Sequence, residues 1–115
     1  MKLGISNKVR VPLKFKMQDG ANVRQFNFTL ECDRLSTDEF QKRNQDDNGV
    51  VSNEKIKENM LGITTGWSGQ QLVLDDDGQP AAFSQEALEF MFGVAGVLDV
   101  AVTSYMKEST ATVKN

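Results

Sequence analysis

The side chains with the most chemical potential are few: a run of three carboxylates (Asp75, Asp76, Asp77) before Gly78, the acids Glu86 and Glu89, and one cysteine, Cys32. Clustered aspartates can collect a divalent cation. A calcium loop of the helix–loop–helix kind needs oxygen ligands at alternating positions, glycine at the sixth and glutamate at the twelfth. With Gly78 sixth, Val73 falls first and Ser84 twelfth. With Gly49 sixth, Asn44, Asp46 and Asn48 space well, but Lys55 falls twelfth. Both frames fail, so "DDDG" reads as a turn in which Asp77-Gly78 takes up the positive φ angles of a tight hairpin. Glu86 and Glu89 share a helix face and read as a solvated surface rather than a glycosidase-like pair.

The chain has no histidine. That removes the commonest general base and rules out Ser–His and Cys–His nucleophiles. One cysteine without histidine cannot build an ordinary structural zinc site. "GITTGWSG" has neither the Lys-Ser/Thr ending of a phosphate loop nor dinucleotide spacing, and reads as a helix terminator and loop. The expectation is no enzyme, no cofactor and no metal.

These residues sit in a chain of 115 amino acids, 39% hydrophobic and 25% charged, the profile of one ordinary globular domain spanning residues 1–115. Residues 1–7 and 109–115 have little to bury and are expected to be flexible. A lone cysteine fits a reducing compartment. "MKLGISNKVRVPLKFK" lacks the apolar run of a signal peptide, and no stretch reaches the roughly 20 apolar residues of a membrane span. The expected location is cytoplasmic.

Charge is uneven. Lys2, Lys8, Arg10, Lys14, Lys16 and Arg24 oppose only Asp19 in residues 1–24, whereas residues 75–89 carry five acids and no base. A basic arm can bind nucleic acid, but the aromatic interleaving of a single-strand binder is poor here. Complementary ends also suit head-to-tail packing of copies.

"KVRVPLKFKM" alternates strictly, with Val9, Val11, Leu13, Phe15 and Met17 on one face, and so predicts a strand. Pro12 lies on the polar face and marks an edge strand or a bulge. Asp19-Gly20 turns the chain. Phe26, Phe28, Leu30 and Cys32 then form a second apolar row, completing a hairpin. Ser36 caps a helix, with Glu39 at the capping-box position and Leu35 and Phe40 as the staple. Ser52 caps a second helix through Ile56, Met60 and Ile63. A short strand is expected at Gln71–Leu74, then the turn and an extended piece to Phe83. Ser84 caps "QEALEFMF". Val94, Val97, Leu98, Ala101, Val102, Tyr105 and Met106 mark a final amphipathic helix. The order predicts an α+β fold: an N-terminal antiparallel hairpin or small sheet, then three to four helices with a short hairpin-like insertion.

Trp67, the only tryptophan, suits a core plug or a contact anchor. The last helix suits core packing, or partial exposure for a partner helix, with Val97, Val102, Tyr105 and Met106 as contact candidates.

The succession Gly66-Trp67, Asp75 to Gly78 and Phe83-Ser84-Gln85-Glu86, preceded by "FTLECDRLSTDEF" and followed by a last helix ending "SYMKES", resembles the tail assembly chaperones of long-tailed bacteriophages or prophages. The resemblance covers residues 26–115, although the final helix matches in pattern only. It implies a non-enzymatic protein of the host bacterial cytoplasm, absent from the mature virion. Such a protein binds the tape measure protein, promotes tail tube assembly around it and self-associates. It implies no catalytic residue. The alternatives are a virion structural component (a tail tube or head–tail connector subunit) and a small nucleic-acid-binding regulator using the face around Lys14 and Lys16.

Overall fold

The computed structural model describes residues 1–114; Asn115, the last residue of the expected flexible tail, lies outside the described residues. The hairpin forms as its alternation dictates. Strand β1 (Lys8–Asp19) pairs antiparallel with β2 (Asn22–Asp33) over their whole length. The loop is Gly20-Ala21, one residue later than the sequence indicates, and only Gly20 has positive φ, at 63°. Val9, Val11, Leu13, Phe26, Phe28, Leu30 and Cys32 are buried on the inner face, with Phe15 and Met17 half-buried beside them.

Three helices begin at the serines that predict them. Ser36 Oγ accepts from Glu39 N at the start of α1 (Thr37–Arg43). Ser52 does the same for Lys55 N in α2 (Asn53–Ile63), and Ser84 for Ala87 N in α3 (Gln85–Phe92). Each bond satisfies one otherwise orphaned N–H. Glu39 does not close the reciprocal half of a capping box; its carboxylate takes the Arg43 guanidinium at 2.9 Å.

Two expectations need correction. The third strand is not Gln71–Leu74 but β3 (Thr64–Ser68), inside the stretch read as a terminator and loop. It pairs antiparallel with β2, giving the sheet order β1-β2-β3. Leu30 faces Trp67, Glu31 faces Gly66, but Cys32 faces Thr64, so Thr65 is an extra residue. This bulge puts two inward positions three residues apart and erases the period-2 signal. Gln71–Leu74 contributes only an isolated bridge, Leu74 to Pro80.

The last helix, α4, spans Val97–Ser109 and begins three residues later than its apolar pattern. Gly96 stands before it at φ 85°, a conformation that favours glycine, and α3 and α4 meet at 106°. Val97, Ala101 and Tyr105 carry the buried stripe of α4 onto the sheet. The fold is thus α+β: a three-stranded antiparallel sheet and four helices around one core. Among the described residues no single helix is long and apolar enough to cross a membrane.

Candidate partner-binding surface

Two of the segments that carry the resemblance meet at Trp67, and the Asp75–Gly78 turn lies in the chain between them. Trp67 leaves β3 toward the inner side and meets the Phe83 ring edge-on, with centroids 5.2 Å apart. Its indole Nε1 donates to Ala81 O at 3.2 Å. Gln70 completes the knot although it is polar and only 3% exposed. Its amide nitrogen donates to Val73 O at 2.9 Å and Ala81 O at 3.1 Å. Its oxygen accepts from Leu72 N and Val73 N. All four bonds of a buried amide are therefore used, which is what makes its burial tolerable.

The aspartate run is a turn. Asp75 Oδ1 accepts from Asp77 N and Gln79 N, both at 2.9 Å, and Asp75 N donates to Gln79 O at 2.7 Å. Only Gly78 has positive φ, at 78°; Asp77 does not, contrary to the sequence expectation. Asp76 and Asp77 point into solvent, and no group of three or more acidic, cysteine or histidine side chains among the described residues is placed to hold a metal.

The candidate contact residues divide by burial. Val97 and Tyr105 are each 1% exposed and belong to the core. Tyr105 stacks on Phe40 at 4.8 Å. Its hydroxyl donates to Asp33 O at 2.9 Å and accepts from Leu35 N at 3.0 Å, so it ties α4 to the end of the hairpin. Burial raises its pKa. Trp67, Val102 and Met106 stay half-exposed. Val102 and Met106 lie one helical turn apart, next to Leu98, and form an apolar flank on α4. On the other flank, Val100, Thr103 and Ser104 face Pro12 and Lys14 across a groove of about 520 Å³.

Cys32 is a core residue. Burial pushes its thiol up to about 11. Thr64 Oγ1 donates to Met60 O at 2.7 Å, leaving its lone pairs to take the Cys32 S–H at 3.4 Å. A neutral, buried thiol is neither nucleophile nor metal ligand.

The basic face of β1 is partly neutralised by β2. Lys8 pairs with Asp33 at 2.6 Å, a hydrogen bond that raises the lysine pKa, and Arg10 stands opposite Glu31. The hairpin's phenylalanines lie on the opposite, inner face, so the lysines have no stacking platform beside them.

Sequence reasoning missed Gln70, Thr64 and Ser104. Thr64, a β-branched residue beside another threonine and Trp67, carried a weak strand signal. Gln70 carried none, because a glutamine in a polar loop looks solvated. The chain matches no protein-family model, no curated protein and no solved structure.

Proposed function

We propose that this protein is a non-enzymatic protein-binding module, a tail assembly chaperone of the long-tailed bacteriophage type. In this reading it works in the host bacterial cytoplasm, keeps the tape measure protein soluble, promotes polymerisation of tail tube protein around it and is absent from the mature virion. The observation that carries the reading is the convergence at Trp67. The Gly-Trp pair and the Phe83–Glu86 cap, which resemble that family, meet through the Trp67–Phe83 contact, and the Asp75–Gly78 turn lies in the chain between them.

The half-exposed flank of Val102 and Met106 supplies the contact surface in this reading. A long amphipathic helix lays apolar residues into such a surface at i, i+3 and i+4 spacing. Many copies along one long partner add avidity without a tight single site.

Co-expression with the longest helix-rich protein encoded just downstream tests this. The partner should stay soluble and co-purify with the wild-type chain. Val102→Asp with Met106→Asp should abolish co-purification, with the variant still folded by circular dichroism at the assay temperature although its melting temperature falls. An insoluble partner that never associates with the wild-type chain sinks the reading. Recovery of this chain from purified particles by mass spectrometry would instead make it a structural component.

A further inference from the structure

The segment Met1–Ser6 has a pattern its surroundings do not use. Met1, Leu3 and Ile5 alternate with Lys2, Gly4 and Ser6, the period of a strand with one apolar face. All three apolar residues are exposed, at 128%, 70% and 61%, and the segment forms no strand. Its base is held away from the outer edge of β1: Arg34 N donates to Asn7 O at 2.7 Å and Arg34 Nε to Ser6 O at 3.0 Å. The chain enters β1 directly after this clamp, so the arm is not free to fold back along its own edge strand.

The sheet has a matching vacancy. Pro12 has no N–H, so its pair with Thr29 is a non-hydrogen-bonded one and its carbonyl points outward. Ser104 Oγ accordingly donates to Pro12 O at 2.6 Å. By the alternation of an antiparallel ladder, Lys14, Lys16 and Gln18 also turn their N–H and C=O groups outward. Among the described residues no hydrogen bond reaches those groups. Beside this open edge runs the groove lined by Pro12, Lys14, Val100 and Thr103, while Phe15 and Met17 stay only half-buried on the inner face. An unpaired edge beside apolar surface is a template for an added strand.

We propose that residues 1–6 of one copy add as a strand to the Lys14–Gln18 edge of β1 in a second copy. A six-residue strand is about 20 Å long, enough to run along that edge. Its apolar side lies on the inner face of the receiving sheet, beside Phe15 and Met17 and toward Val100. Donor and acceptor are different surfaces, so the contact is head-to-tail and repeats from copy to copy.

Sedimentation velocity of the full chain over a concentration series tests this without any phage partner, and the arm and groove variants separate this contact from self-association by any other surface. The wild type should self-associate. Leu3→Asp with Ile5→Asp, an arm variant, should weaken association by at least roughly tenfold, because the apolar side chains supply the burial. Val100→Lys, a groove variant, should do the same. Thr103→Arg, at an exposed position, replaces it if Val100→Lys lowers the melting temperature. The arm variant mixed with the groove variant should give a 1:1 complex and nothing larger, because one intact arm meets one intact groove. A wild type that stays monomeric throughout, or an arm variant that associates like the wild type, overturns the proposal.

Discussion

Two turns in this molecule are wired alike and held differently. In "DDNGV", Asp46 Oδ1 accepts from Asn48 N and Val50 N, Asp46 N donates to Val50 O, and Gly49 has φ 78°. In "DDDGQ", Asp75 makes the same three contacts with Asp77 and Gln79, and Gly78 has φ 78°. Each turn closes on one isolated bridge and is followed by a serine-capped helix. Beyond that they diverge. The residues flanking the first, Val50 and Val51, are both 57% exposed. The second is clamped by Trp67 and Gln70 and leads through buried Val73 into the core. Local sequence builds a turn; its tertiary anchors decide whether the fold depends on it.

The largest test of that contrast is Trp67→Ala. It removes the Phe83 contact and the bond to Ala81 O, and should cost about 3 kcal/mol in denaturant unfolding. Val51→Ala, beside the more exposed turn, should change stability by less than about 0.5 kcal/mol. Equal effects would erase the distinction.

Alkali should also act on the anchored side. Cys32 and Thr64 sit at the root of β3, whereas the carboxylates of the Asp46 turn are exposed. Because the thiol's folded pKa is raised to about 11 from 9.0, its contribution is complete below pH 9 and is lost as pH rises through 11. Unfolding free energy should fall over that window by on the order of 2 kcal/mol, and Cys32→Ala should flatten the fall. An unchanged slope in the variant would leave Tyr105, whose pKa burial also raises, as the source.

Gln70→Ala isolates the knot without touching an aromatic ring. It strands Val73 N and Leu72 N, while Ala81 O keeps the Trp67 indole, and should cost about 2 kcal/mol, read by thermal unfolding. Amide exchange should accelerate across residues 70–83 and stay unchanged across 45–51. The smallest effect sharpens the likeness. Asp46→Ala and Asp75→Ala should each cost about 1 kcal/mol, since each removes the same two local bonds. A far larger loss for Asp75 would mean that the turn itself, rather than Trp67 and Gln70, carries the anchoring.

Much of this was legible along the chain because the controlling interactions are local. Strict alternation set the hairpin, and Ser36, Ser52 and Ser84 marked three helix starts whose caps reach only three residues ahead. The strand Thr64–Ser68 was not legible, because the bulge at Thr65 breaks the period and only pairing with β2 makes the segment extended. The start of the last helix was misplaced at Val94, since an apolar stripe says which face is buried but not that Gly96 reorients the chain at 106°. Tyr105 and Val97 looked like contact residues for the same reason: helical spacing identifies an apolar stripe without saying what covers it.

The sequence by itself determined the α+β class, the two hairpin strands with their apolar faces and the serine-capped helix starts, and its lack of histidine removed histidine-dependent chemistry. Only the tertiary structure decided that Tyr105 is core while Val102 and Met106 stay half-exposed, and that Gln70 and Trp67 lock a turn from afar. The reason is range. Alternation and capping act within a few residues, whereas burial and edge pairing depend on partners such as Pro12 and Ser104, which meet only after the whole chain has folded.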